Sequence, residues 1–553
     1  MGLQKTEKSR RSLWEIFRLL SRTILDYMIC IYLIIMLAVF PFYNEEGYSH
    51  IGTDKSVFFC RLGAGMGKII IFPLGLYLLL GFGRFIVDKV RQIHAAGLRR
   101  AVSRESVSGT DLFAFAYGTA LILSYLFTDY KEAALWGERG WYMGFFPQLM
   151  LLCTYFLVSR LWTPGKKLFY LCLPVSAVVF LMGCINRFGI YSFGLEFANA
   201  GYISTIGNIN WYCGYAVSVM FAGMALLWMG EGKAWQRVLL MLYTAVGCLS
   251  LILQGSDSGL VALAVVMLVM FCLSAKDSGR MLVFWQEMTI LSVECLGIYV
   301  FRRLVPDGSN YGINFIGKLA ELFACGPVSI GMTLVSSAAL VIVWKDRKQG
   351  VHREKLYRIL ARTAVFGSMA VILGILFLGL MNTFHPGILG RLSEFDLFTF
   401  DMAWGSNRGA TWWAGWRCFA EQDFLHKLVG VGPDCMWSYI SRDASAGFAE
   451  AVEKVFGTLR LTNAHNEWLT ILADTGILGL TGYAGMMICG IRELLQKGQK
   501  SPIAAACGFC LLAYVVNSMF SFQQAMGAGT IFVMFGMGKA FLLHQVSSNK
   551  TFS

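Results

Sequence analysis

Leu168-Phe-Tyr-Leu-Cys172-Leu-Pro-Val-Ser-Ala-Val-Val-Phe180-Leu-Met-Gly-Cys-Ile-Asn186 is a run of nineteen residues without a charge, with Lys166 and Lys167 before it and Arg187 after it. At 1.5 Å per residue a helix of this length covers about 28 Å, close to the ~30 Å hydrocarbon core of a bilayer. Comparable runs recur from Ile24 to Leu543. We read spans at 24–42, 68–87, 110–127, 142–160, 168–186, 209–229, 237–254, 258–274, 284–301, 326–344, 363–382, 476–491, 502–520 and 529–545. The fold class expected is an all-α polytopic membrane protein of about fourteen helices, with one long extracytoplasmic loop folded into short helices.

Composition agrees with this reading. Of 553 residues, 56% are hydrophobic and 15% charged, with a mean hydropathy of +0.58. Soluble domains carry about 25% charged residues, so too little polar surface is present to cover a water-facing globule. The net charge of +13 is distributed as short Lys/Arg clusters between apolar runs. That pattern orients a chain across a membrane and meets anionic headgroups, and it leaves no basic face for nucleic acid.

The clusters also set the orientation. Lys89, Arg91, Arg99, Arg100 and Arg104 form one; Arg160, Lys166 and Lys167 another; Lys345, Arg347, Lys348, Arg353, Lys355 and Arg358 a third; Arg492, Lys497 and Lys500 a fourth. Simple alternation of the spans puts all four on one side, which the positive-inside rule makes cytoplasmic. Both termini are then expected inside, at the inner membrane. Lys5, Lys8, Arg10, Arg11, Arg18 and Arg22 precede a full-length span without a small-residue cleavage site, so no cleaved signal peptide is expected.

Four regions follow: N-terminal membrane helices over 1–185, core membrane helices over 186–382, the extracytoplasmic loop with its reactive helices over 383–475, and C-terminal membrane helices over 476–553. The loop carries Trp404, Trp412, Trp413, Trp416 and Trp437. Disordered segments are poor in aromatics, so a folded cap of short helices is expected. The Trp412–Trp416 cluster suits the bilayer interface better than sugar stacking.

Several motifs do not carry the chemistry their spacing suggests. Gly63-Ala-Gly-Met-Gly-Lys68 lacks the leading Gly of a phosphate loop, and Ile69 stands where Ser or Thr would hold magnesium. Cys507-Gly-Phe-Cys510 lies inside a span and reads as packing. Gly255-Ser-Asp-Ser-Gly259 follows no strand and reads as a tight turn between spans. No His/Cys/Asp cluster has zinc spacing, and neither metal nor cofactor is expected.

The stretch richest in chemistry is Asn463-Ala-His465-Asn466-Glu-Trp-Leu469-Thr-Ile-Leu472-Ala-Asp-Thr-Gly476-Ile-Leu-Gly479. His465, Leu469 and Leu472 repeat at i, i+4 and i+7. With Asn463 as N-cap, His465 would sit in the first helical turn, where the helix dipole disfavours imidazolium and leaves a neutral base.

His-Asn-x-x-Leu-x-x-Leu-x-x-x-Gly-x-x-Gly after a long outer loop resembles the O-antigen ligase and polysaccharide polymerase family of bacterial envelopes. Three further stretches fit the resemblance: Asn407-Arg408-Gly-Ala-Thr-Trp412-Trp-Ala-Gly-Trp416, Gly430-Val-Gly432-Pro433, and Ile206-Gly207-Asn208-Ile-Asn210-Trp with Arg187 before it. The similarity covers about 185–490. Where the family often carries Ser-Arg-Gly, this chain has Ser256-Asp257-Ser258-Gly259, without arginine.

The resemblance implies transfer of a glycan from undecaprenyl pyrophosphate to an acceptor hydroxyl, on a glycan, lipid or wall component, at the outer membrane face. Arg408 first and Arg187 second would hold the pyrophosphate, since the guanidinium fork matches phosphate oxygens two at a time. His465 would be the general base, with Asn466 and Asn463 supporting it and inversion at the anomeric carbon. Arg417 lies nine residues from Arg408, roughly 180° round a helix, and is left out. Ligase and polymerase remain open alternatives. So does a transporter or flippase of lipid-linked glycans, although the spans carry few charges, chiefly Asp26, Glu287 and Glu294. A lipid-II polymerase shares the chemistry but not the His-Asn motif.

Overall fold

The computed structural model describes residues 13–96, 108–305, 317–351 and 353–550. Lys5, Lys8, Arg10 and Arg11, ahead of the first span, and Arg99, Arg100 and Arg104 of the first basic cluster lie outside the described residues, and for Lys89 and Arg91 only the backbone is described. The chain is an all-α membrane protein; its one sheet among the described residues is a two-stranded ribbon pairing Tyr202–Ile203 with Gly207–Asn208. Eleven helices among the described residues are long and apolar enough to cross a bilayer. Phe145–Leu161, Ser258–Ser274 and Pro502–Asn517 are apolar but shorter.

Several boundaries differ from those expected. The first helix begins at Leu13 and closes through a π turn and a 3-10 turn at Phe42. The second runs from Ile51 to Ala96, far beyond 68–87, because polar residues along it extend the helix past its apolar middle. The span expected at 476–491 is the second part of a Glu467–Lys497 helix that breaks at Gly476.

The helices are nested. Ile209–Trp228 is buried along its whole hydrophobic window, whereas Glu354–Phe384 is only 6% buried and lies at the periphery. Small residues allow the close approaches, as expected where packing rather than water drives helix association. At Gly482 an added Cβ would lie 2.6 Å from the Tyr117 backbone nitrogen, which seats the Gly109–Phe127 helix against Glu467–Lys497.

The connecting segments gather at two ends. At one end Tyr48 donates to the Ser204 carbonyl (2.7 Å), the Glu138 amide donates to Asp434 (2.9 Å), and the Glu467 amide donates to the Ser518 carbonyl (2.9 Å). At the other, the Thr163 amide donates to Asp26 (2.7 Å), Lys166 pairs with Glu231 (2.6 Å), and Gln545 donates to the Lys500 carbonyl (3.1 Å). The second end is the basic one.

Residues 385–466 form the expected cap of short helices: Trp404–Glu421, Phe424–Val429, Met436–Arg442 and Ala446–Phe456. A small core of its own, including Ala414, Met436, Phe448 and Ala464, holds the cap together.

Candidate functional site

The cap meets the bundle at Gly476. This residue adopts φ 66°, ψ −170°, a conformation essentially restricted to glycine, and Gly430 adopts nearly the same one (φ 79°, ψ 173°). The two lie back to back. A Cβ on Gly476 would come within 2.3 Å of the Leu428 carbonyl oxygen, and one on Gly430 within 2.1 Å of the Asp474 carbonyl oxygen. The break frees carbonyls that the cap then occupies: Val431 donates to Ala473 (3.2 Å) and Gly432 to Asp474 (3.0 Å). Gln422 also reaches the Ala473 carbonyl (2.9 Å), and Ser124 the Asp474 carbonyl (2.7 Å). The Gly430-Val-Gly432 and Gly476 motifs are thus two halves of one joint.

His465 sits just before this joint. It is not in the first helical turn: Asn466, not Asn463, is the N-cap, its Oδ1 accepting from the Leu469 amide (3.1 Å). Asn463 makes a turn ahead of the helix by accepting from the His465 amide (3.0 Å). His465 itself is left-handed, with φ 47°. Few non-glycine residues adopt this region, and such strain concentrates at functional sites. The i, i+4, i+7 face therefore holds for Leu469 and Leu472 but excludes His465, whose ring meets Phe522 edge-on at 5.1 Å. Burial, and then the charge of Arg408, push its pKa down to about 4. The imidazole is neutral at pH 7, as expected, but through desolvation and a neighbouring cation rather than the helix dipole.

Arg408 is presented by a second backbone irregularity. Gly405, Ser406 and Asn407 all have positive φ (62°, 61° and 68°), so the regular part of the Trp404–Glu421 helix starts at Arg408. Its Nε donates to the Phe520 carbonyl (3.2 Å) and Nη1 to the Gly405 carbonyl (2.9 Å); Nη2 has no protein hydrogen-bond partner among the described residues. Burial lowers its pKa, opposed by Cys213 and Asp257. Arg417 points elsewhere, pairing with Glu421 and lying over the Phe448 ring.

Arg187 lies on the same end but is committed to backbone. It donates to the carbonyls of Leu253 (2.8 Å), Ala200 (3.2 Å) and Gln254. Its guanidinium clamps the turn that carries Asp257. The Gly207-Asn208-Ile-Asn210 stretch secures the same turn. Gly207 supplies the positive φ of the ribbon, Asn208 caps Ile209–Trp228 by accepting from Asn210 (2.9 Å), and Asn210 accepts from the Ser256 hydroxyl (2.9 Å).

Asp257 accepts from the Leu319 amide (3.0 Å) and attracts Arg408. Burial raises its pKa, opposed by the Leu319, Lys318 and Ala320 amides and then by Arg408. This coupling was not legible in the sequence, because 151 residues separate the two and neither lies in a shared motif.

The 518–524 connection was also missed. It has no charged residue, yet it touches three side chains of the site: Phe520 accepts from Arg408, Phe522 packs on His465, and Gln523 reaches Glu467 at 3.4 Å. Glu467 is fixed further by Tyr514 (2.8 Å) and Tyr483. Beside it lies a water-sized cavity of about 30 Å³ bounded by Glu467, Asp434, Asn463 and Gln148. Burial raises the Asp434 pKa to about 7, opposed by the Met143 and Glu138 amides. Among the described residues no group of His, Cys, Asp or Glu side chains could hold a metal ion.

No protein-family model and no curated protein matches the chain.

Proposed function

We propose that this chain is a glycosyltransferase of the O-antigen ligase or polysaccharide polymerase type. It would cross the inner membrane fourteen times with both termini cytoplasmic. It transfers a glycan from undecaprenyl pyrophosphate to an acceptor hydroxyl on the outer face. One observation carries the reading. A strained, neutral histidine and an arginine with a free donor edge are electrostatically coupled at the less basic end of the bundle, tied together by one connecting loop. Alternation of fourteen spans requires the three shorter apolar helices to cross as well. The gathering of connecting segments at two ends supports this.

In the reaction, the acceptor O–H gives its proton to His465 as its oxygen attacks the anomeric carbon. The anomeric carbon–oxygen bond breaks, and undecaprenyl pyrophosphate leaves with the electron pair, with inversion. Arg408 holds the developing charge through its Nη2 edge, as a charge-assisted hydrogen bond to phosphate. A pKa of about 4 makes the resting imidazole a weak base. An anionic pyrophosphate against Arg408 removes the cation's repulsion and raises the proton affinity of His465. The donor thereby activates the base. Arg187 acts by holding the 253–257 turn, and Asn466 and Asn463 by fixing the backbone around His465.

Purified protein incubated with a lipid-pyrophosphate oligosaccharide tests this. Products at higher multiples of the repeat identify a polymerase, and single transfer to an added acceptor a ligase. No transfer to either class of acceptor defeats the proposal.

One observation favours a second reading, transport of lipid-linked glycan: Glu287 lies buried in the Ser278–Leu304 helix with neither carboxyl oxygen partnered among the described residues. Flux across vesicles that survives His465→Ala and fails in Glu287→Gln would favour it.

A further inference from the structure

We infer that a groove at the basic end of the bundle binds an anionic diacyl phospholipid from the adjoining leaflet. The groove has a volume of about 860 Å³. Helices Ser258–Ser274 and Glu467–Lys497 form its walls, and Pro502–Asn517, packed against both, forms its floor. Leu273, Ile488, Leu512 and Val515 line it, and Ile488 is 61% exposed, so the groove opens sideways onto lipid. Leu512 and Val515, the floor residues that face the groove, lie ten and thirteen residues beyond Pro502, about 15–20 Å in from that end, so the groove reaches the ~15 Å depth of one leaflet's hydrocarbon.

The mouth is cationic. Lys276, Arg280 and Arg492 surround it, with Asp277 as the one acid among them. Arg280 is held rigidly, over the Trp228 ring at 4.5 Å and against Gln499, with Asp277 at 3.8 Å. Asp277 is itself occupied as the cap of Ser278–Leu304, accepting from the Gly279 (2.8 Å) and Arg280 (3.2 Å) amides. Lys276 and Arg492 are exposed, and Arg492 makes only a 3.3 Å bond to Gln496 among the described residues.

Each half of the groove selects against a different competitor. A zwitterionic lipid offers the same chains but no net charge to the mouth. A free phosphate would satisfy the cations and leave the apolar floor empty. A lipid with a net negative headgroup satisfies both, as basic pockets between membrane helices do for anionic lipids. This site is independent of the glycosyl-transfer reading.

Native mass spectrometry of the detergent-purified full-length protein, titrated with phosphatidylglycerol or with phosphatidylcholine of the same chains, tests it. Phosphatidylglycerol is expected to bind at least about tenfold tighter. Lys276→Gln/Arg492→Gln should lose about thirtyfold for phosphatidylglycerol, two cations' worth, and leave phosphatidylcholine unchanged. Leu512→Trp, which fills the floor without altering charge, should weaken both lipids. Unchanged thermal melting of Lys276→Gln alone, with partial loss of phosphatidylglycerol, separates lost binding from misfolding. Equal binding of the two lipids by the native chain overturns the inference. So does full retention in the double variant, or displacement of phosphatidylglycerol by equimolar glycerol 1-phosphate, which marks a site for free anions.

Discussion

His465 combines a left-handed backbone with a largely buried ring, and both properties have measurable consequences. Because its folded pKa of about 4 lies below the ordinary 6.5, the unfolded chain takes up the proton first on acidification. Stability from this residue is complete above about pH 6.5 and is lost as pH falls toward 4. Removing the neighbouring cation should reverse part of the shift. An NMR titration of His465 in Arg408→Gln is expected to show a midpoint above that of the native protein; an unmoved midpoint would mean that the two side chains do not sense each other. In the transfer assay His465→Ala should abolish product while membrane insertion persists. Arg408→Lys should be almost as damaging as Arg408→Ala, since an ammonium cannot keep the bonds to the Phe520 and Gly405 carbonyls that orient the cation and still present a separate donor edge to phosphate. Full activity in the lysine variant would reduce the role of Arg408 to charge alone.

At the scale of elements, the joint between Gly430 and Gly476 is the most sensitive place in the chain. Either glycine replaced by alanine places a Cβ against backbone atoms and forces a conformation that L-residues avoid. A loss of at least ~1–3 kcal/mol follows, read as a fall in melting temperature of the detergent-solubilised protein. Asn466→Ala should cost about 1 kcal/mol by removing the cap, whereas Asn463→Ala should act on His465 geometry and hence on turnover. The sequence displayed the pieces of this region but not their assembly. Gly476 was visible as the start of an apolar span, yet nothing local marked it as a break, because the residues before it remain helix-compatible. Two asparagines three residues apart both satisfy cap chemistry, and the choice between them is made by tertiary contacts such as Glu467 on Ser518. The apolar runs, by contrast, were legible because hydrocarbon imposes length and polarity on every span.

At the scale of the whole molecule, the two ends of the bundle differ in charge, and that asymmetry predicts sidedness. Cysteines introduced at Lys427, in the cap, and at Lys348, at the basic end, should react with a membrane-impermeant thiol reagent from opposite faces of intact cells or inverted vesicles. Reaction from the same face would break the orientation on which an outer-face reaction depends. The native cysteines are buried or half-buried, which keeps the background low. Long-range organisation of this kind was readable only as alternation. The pairing of Asp257 with Arg408 and the reach of the 518–524 loop depend on how distant helices stack, which no local pattern encodes.

The wholly enclosed Ile209–Trp228 helix carries an implication for biosynthesis. It leaves the ribosome long before Pro502–Asn517 and Ala525–Lys550, two of the helices that pack around it. During that interval the flanks these two helices will cover must rest against lipid or an insertion chaperone, and the arrival of Pro502–Asn517 and Ala525–Lys550 retires them from that exposure. A transcript truncated just before Pro502 would retain His465, Arg408 and the cap, and yet yield a protein that quality-control proteases clear.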